Sequence, residues 1–423
     1  MLNTDSSTEK IEAILRACRI LTRINQSGSE ARQSDLIYYR MLSSYYNRIL
    51  NAKKDGNFVV AHTVFFPIEI LYAMGLVPMH METTIWMSSL FLGESADILS
   101  AGAQLGLAPE ICSPHRGVAG SFALKALPRP DALLWSNLVC DNTAKSGELL
   151  AELNGCPSFY LDHPFQDTPQ EKEYMREELQ EMIRFLEKHS GHSMDLAKLS
   201  EIVARLDRQL ELTREINQLR RHRPSPFPTQ GFLKLLTADY LFAGQPEAIE
   251  YLEALKKEMT EMISLGKGAV EPERFRLMTI FLPPLFLISF LDRFLAQHGA
   301  VSVVEPFFTR WGDGRLDPSR PLESVVQKSF LIPETCSMYG PLREGALTDL
   351  ADCVGEYGVD GAIYWAFIGC RHTCATVKLF RDRLNEAGVA VLTMDCDIVD
   401  PTVNPQEEIE EKLERFFELL EDR

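Results

Sequence analysis

Residues 132–164, ALLWSNLVCDNTAKSGELLAELNGCPSFYLDHP, decide the fold. The run ALLWSNLV (132–139) is mostly apolar, as in a strand buried on both faces, and it ends at Cys140–Asp141. TAKSGELLAELNG follows with apolar residues at helical spacing and closes on Gly155. CPSFYLDHP (156–164) then reads as a second strand ending at Asp162. Strand, helix and strand joined by short connections predict a parallel α/β sheet.

Working outward, FVVAHTV has strand character, and residues 1–53 carry helical periodicity in KIEAILRACRILTRI and DLIYYRMLSSYYNRIL. Residues 168–223 are strongly helical, the Pro-rich RHRPSPFPTQG (221–231) ends that block, and another helix runs to Gly266. The strand–helix rhythm then returns in RLMTIFL, AVSVVEPF, DGAIYWAF (360–367) and VAVLTMD (389–395). The expected organisation is a helical segment over 1–54, a first α/β lobe over 55–167, a central helical region over 168–272 and a second α/β lobe over 273–423. No close sequence repeat links the lobes.

At 423 residues the chain is too long for one ordinary core. Its hydrophobic fraction of 45% and charged fraction of 24% are those of a globular protein. The net charge of −17 argues against a nucleic-acid or anionic-membrane surface, which needs clustered positive charge. The first residues, MLNTDSSTEKIEAILRAC, lack the basic-then-apolar order of a signal peptide. The apolar run TIFLPPLFLISFL (279–291) is shorter than the roughly 20 residues a membrane span requires. A cytoplasmic location is therefore expected, and there nine cysteines are not expected to pair as disulfides.

In α/β sheets, ligands bind at the carboxyl ends of the strands. Cys140 and Cys370 each follow a strand and precede a helix, one in each lobe, and Cys112 lies in the loop APEICSPHRG. A helix N-terminus favours negative charge and hence the thiolate that iron requires. Three cysteines leave one iron of a cluster open for a substrate or water. The spacing shows no C-x-x-C run, so buried or incidental cysteines remain the simpler reading of the spacing alone. Asp141 reads as a cap of the helix that follows. His115, Arg116 and His372 beside these cysteines either tune a cluster or lie in solvated segments. Asp162 either caps the next segment or orients a group in the cleft.

The segment FFPIEILYAMGLVP (65–78), CSPHRG (112–117), LLWSNLVCDNTAKSGELLAEL with YLDHPF, VDGAIYWAFIGCRHTC and AVLTMDCDIVDPTVNPQEEIEEKLERFFELLE together resemble the 2-hydroxyacyl-CoA dehydratase and benzoyl-CoA reductase family. The resemblance covers roughly residues 55–420 and rests on the order and combination of the motifs.

It implies two flavodoxin-like lobes with N-terminal and central helical additions, and a 4Fe–4S cluster held between them by Cys112, Cys140 and Cys370. It implies three partners: a related second subunit, an ATP-hydrolysing iron–sulfur activator that injects one electron, and an acyl-CoA substrate. In family dehydratases the electron forms a ketyl radical anion on the thioester carbonyl, hydroxyl leaves, and the electron returns; in the reductases it enters an aromatic ring. Glu69, in Pro67–x–Glu69, matches a residue that would hydrogen-bond or shuttle a proton near the substrate, while Pro67 and Glu69 equally suit the first turn of a helix.

The main alternatives are a benzoyl-CoA reductase-type subunit and an ATP-dependent reductase subunit carrying a double-cubane cluster. For the latter, Cys336 and Cys374 are the first extra ligands to consider, with Cys353 and Cys396 in the same lobe. A third is a non-catalytic cluster-carrying or ligand-binding protein. The basic run RRHR (220–223) reads as a solvated helix end, with a CoA phosphate contact as the alternative.

Overall fold

A computed structural model describes residues 8–27, 32–93, 95–138, 140, 142–229, 231–306, 314–335 and 344–423. The chain divides into two compact units. The first comprises Met1–Gln209, Thr237–Tyr251 and Asp313–Leu331; the second comprises Leu210–Leu236, Leu252–Gly312 and Ile332–Arg423. Among the described residues no helix is long and apolar enough to cross a membrane.

The first unit holds strands β1 (Val59–His62), β2 (Val77–His80), β3 (Ala132–Ser136) and β4 (Ser158–Leu161), all parallel, in the order β2-β1-β3-β4. The second holds β5 (Phe275–Ile280), β6 (Ala300–Val304), β7 (Gly361–Phe367) and β8 (Ala390–Cys396), also parallel, in the order β6-β5-β7-β8. Each is therefore an α/β lobe, and each begins the flavodoxin-like order, in which the first strand is central and the chain steps first to one side of it and then to the other. Two strands of unlike sequence composition, β3 and β7, occupy the same place in this order. The shared topology is the internal likeness that residue identity does not display.

Pro78 interrupts the pattern of β2 and hides that strand in the sequence. Among the described residues it is an edge strand paired with β1 alone, where a missing backbone N–H facing away from the sheet costs nothing. Helices Glu9–Ser27 and Gln33–Asn51 occupy the first segment, where the apolar spacing is helical. The second of them braces β2: the His80 backbone N–H donates to the Tyr45 hydroxyl at 2.8 Å.

Two helices of the first unit approach at backbone distance. A Cβ on Gly120 would lie 1.8 Å from the Ile98 carbonyl oxygen, and one on Gly102 would lie 2.3 Å from that of Arg116. Only glycine lets helices Ala96–Gln104 and Ser113–Ala123 come so close. The contact fixes the helix that begins just after Cys112.

The basic run 220–223 follows the end of helix Leu196–Leu219, and Arg221, His222 and Arg223 are exposed there, as a solvated helix end requires, whereas Arg220 departs from that reading. Arg220 is fully buried, pairs with Glu305 at 2.6 Å and lies over the Phe227 ring. Arg221 pairs with Glu356 at 2.7 Å. Nearby, buried Arg276 donates to the carbonyls of Tyr357, His222 and Arg220 and to Glu273. The positive charge here is taken up by carboxylates and carbonyls of the second unit.

Candidate active site

In the order β2-β1-β3-β4 the crevice for a ligand opens at the carboxyl ends of β1 and β3, where the chain leaves in opposite directions. The loop after β1 carries Phe65 at φ +55°, a left-handed conformation that costs a phenylalanine about 1–3 kcal/mol. Phe281, directly after β5, repeats this in the second unit at φ +67°. Strain thus recurs at the mouth of both sheets.

The loop after β3 carries Cys140, two residues before Asn142, the N-cap of helix Thr143–Asn154. The Thr143 hydroxyl bridges the carbonyls of Ser136 and Cys140, tying the loop to the strand end. In the second unit Cys370 is itself the N-cap of helix Arg371–Glu386. The Thr373 hydroxyl meets the carbonyls of Phe367 and Cys370 at 3.2 and 3.1 Å. Both cysteines therefore belong to a C-x-x-T unit in which the threonine braces the junction. That spacing is a sequence signal that a search for metal-ligand motifs passes over. Asp141 and Cys336 lie outside the described residues.

Cys112 is the N-cap of helix Ser113–Ala123, with Pro114 in the first turn, rather than part of an open loop. This corrects the solvated reading of its neighbours: His115 is 3% and Arg116 5% exposed. The His115 Nε2 lies 3.6 Å from Cys140 Sγ and 3.8 Å from Glu82 Oε1, and its Nδ1 lies 2.9 Å from the Ser146 hydroxyl. The His115 imidazole thus contacts Cys140 from the helix that Cys112 caps.

Glu82 begins a chain of buried polar groups. Its Oε2 faces His80 Nδ1 at 3.5 Å, and that nitrogen already accepts the Thr83 N–H. Burial pushes the Glu82 carboxyl up to about 7 and the His62 imidazole down to about 4, and it holds His80 well below the ordinary histidine range. A proton on Glu82 relieves its contact with the His80 lone pair.

Glu69 is fully buried at the start of helix Ile68–Ala73, in its first turn. It ion-pairs through Oε1 with Lys328, itself buried on helix Pro321–Thr335. Its Oε2 is a buried oxygen with no hydrogen-bond partner among the described residues. Asp239, which also feels Lys328, accepts from Gln209 Nε2 at 2.7 Å; burial raises its carboxyl to about 6 against these two influences. Sequence reasoning misses Lys328, Asp239 and Gln209. The one available signal is a lone lysine in the apolar run SVVQKSFLI.

Among the remaining candidates, Asp162 accepts the Tyr174 hydroxyl at 3.0 Å. The Cys374 thiol donates to the Phe367 carbonyl at 3.1 Å, while Cys353 and Cys396 are fully buried core residues. His372 is half-buried, and its backbone N–H supports Cys370.

A cluster-binding cysteine must be a thiol, reachable and supplied with amide donors. Cys112, Cys140 and Cys370 stand outside any disulfide and are partly exposed, and each lies at or just before a helix N-terminus. Burial raises the Cys370 thiol, and the Thr373 and His372 amides and the Thr373 hydroxyl oppose that rise. These donors suit a sulfur that carries negative charge, so the residues fit a cluster. Cys112 and Cys140 belong to the first unit and Cys370 to the second. Among the described residues no three His, Cys, Asp or Glu side chains are gathered into a ready metal site.

Residues 63–420 match the family model described as 2-hydroxyglutaryl-CoA dehydratase, D-component. The chain is 23% identical over 412 residues to a benzoyl-CoA reductase subunit of Thauera aromatica, covering 90% of this chain and 93% of that one. It is 22% identical over 416 residues to the (R)-2-hydroxyisocaproyl-CoA dehydratase alpha subunit of Clostridioides difficile, covering 93% and 98%. It is 21% identical over 388 residues to the (R)-phenyllactyl-CoA dehydratase alpha subunit of Clostridium sporogenes, covering 88% and 91%.

Proposed function

The chain belongs to the 2-hydroxyglutaryl-CoA dehydratase D-component family, a family of enzyme subunits, and on that premise we propose that it is the iron–sulfur subunit of an enzyme that eliminates water from a 2-hydroxyacyl-CoA. Its ligands would be Cys112, Cys140 and Cys370. The observation that carries this reading is the matched C-x-x-T placement of Cys140 and Cys370 after the third strand of each sheet. The subunit names of its relatives support a partner subunit, and the reaction requires an ATP-driven activator as electron donor.

When bound, a cluster of this kind supplies one low-potential electron to the thioester carbonyl. With that electron on the carbonyl, hydroxide would leave C2 and the C3 proton would become acidic enough to be removed, and return of the electron would make the net change loss of one water. Glu69 suits the proton steps. Lys328 holds one of its oxygens and leaves the other, buried and without a hydrogen-bond partner among the described residues, to meet a substrate proton. The strained loop after β1 leads into the helix that carries Glu69, at the crevice end of the strand.

The test is an anaerobic assay of the chain with its partner subunit, activator and ATP against a panel of 2-hydroxyacyl-CoA thioesters and benzoyl-CoA. Formation of the 2-enoyl-CoA without net electron consumption is the expected result. Stoichiometric consumption of electrons with reduction of benzoyl-CoA would replace the dehydratase reading with the reductase one. No turnover of either class would remove both.

A further inference from the structure

We infer that His115 is a positioning residue for Cys140, holding the sulfur through ring Nε2 while Ser146 holds the ring at Nδ1. The inference rests on the reading of Cys140 as a cluster ligand and goes beyond it to a residue that does not touch iron.

The geometry is that of a strut. His115 is almost wholly buried and is met from several directions. Its own helix, Ser113–Ala123, begins at Cys112 and is pressed against helix Ala96–Gln104 by Gly120. Ser146 reaches its Nδ1 at 2.9 Å from the helix that follows Cys140. Glu82 approaches its Nε2 at 3.8 Å from helix Met81–Leu92. The Cys140 sulfur lies 3.6 Å from the same nitrogen.

An imidazole with its proton on Nε2 donates to the sulfur and leaves Nδ1 to accept the Ser146 hydroxyl, whose one proton then turns to the ring at 2.9 Å rather than to the Asn142 carbonyl at 3.0 Å. That arrangement serves a thiolate, and it sets the spacing of the Cys140 loop from the helix capped by Cys112. Hydrogen bonds to ligand sulfurs spread their negative charge and make a cluster easier to reduce.

The experiment uses the full chain, reconstituted anaerobically, without substrate or activator. Wild type, His115→Phe, His115→Gln and Ser146→Ala are compared by iron content, rate of iron loss to a chelator, and midpoint potential from EPR-monitored titration. His115→Phe keeps the ring volume and removes the donor. It is expected to shift the midpoint to more negative potential and to lose iron severalfold faster. His115→Gln keeps an N–H within reach and is expected to restore both readouts most of the way. Ser146→Ala frees the ring and is expected to move them in the same direction by less.

A His115→Phe protein with wild-type potential and iron retention would overturn the inference. So would a His115→Gln protein as impaired as His115→Phe, since that outcome marks a packing role. Wild type without iron would sink the cluster reading together with this one, whereas wild type with iron and an indifferent His115 would sink this one alone.

Discussion

Cys140→Ala or Cys370→Ala is expected to abolish iron binding almost completely after anaerobic reconstitution, while Cys18→Ala retains the wild-type amount. The two sulfurs leave structurally equivalent strand–helix junctions, each braced by the threonine three residues on. Removing one ligand of three leaves a cluster under-coordinated, and the described cysteines of the second unit are poor substitutes. Cys374 has its thiol turned to the Phe367 carbonyl, and Cys396 is buried. Cys18 is the control because it is a core residue of helix Glu9–Ser27, where burial pushes its thiol up to about 12, far from the thiolate that iron needs. Iron analysis alongside circular dichroism separates ligand loss from unfolding. Equal iron in all three variants would contradict the assignment of Cys140 and Cys370.

Lys328→Met is expected to destabilise the first unit by about 3–5 kcal/mol, the usual cost of leaving one charge of a buried pair alone. Glu69 is fully buried, and its second oxygen already lacks a hydrogen-bond partner among the described residues. Lys328 also acts on Asp239, so its removal takes a neighbouring cation from both carboxyl groups. Replacing both members, as Lys328→Met with Glu69→Leu, is expected to recover most of the stability, because an apolar pair needs no compensation. Glu69→Gln removes the charge and keeps the shape. It is expected to lower kcat by roughly 10²–10⁴, the range for loss of a general acid or base, with a smaller stability change than Lys328→Met. Denaturant unfolding of the single and double variants checks the first part, and steady-state kinetics checks the second. A Glu69→Gln enzyme with full kcat would reduce Glu69 to a structural anion.

What can be read from the sequence follows from which interactions are local. Strands β3 and β7 announce themselves as continuous apolar runs, so the junctions carrying Cys140 and Cys370 are located without a structure. Pro78 hides β2, because a strand that tolerates proline does so only at a sheet edge, and edge position is not a local property. CSPHRG reads as a loop from its Pro and Gly, although Pro114 in a first turn is also a helix start. The burial of Arg116 comes from the glycine-mediated approach of the neighbouring helix, and His115 is covered by Glu82, Cys140 and Ser146; periodicity reports neither.

The distant pairs are beyond reach for the same reason. Lys328 meets Glu69 across 259 residues of chain, and Arg220 meets Glu305 across 85. Nothing in either local segment names its partner. Charge composition tells part of the story: residues 221–223 are exposed, but Arg220 is fully buried, and all three arginines of the run pair with carboxylates.

The most direct measurement is iron and acid-labile sulfide in the wild-type chain after anaerobic reconstitution. A brown protein with about four irons and four sulfides per chain is the predicted result for a single 4Fe–4S cluster. A colourless protein without iron under the same conditions would contradict it.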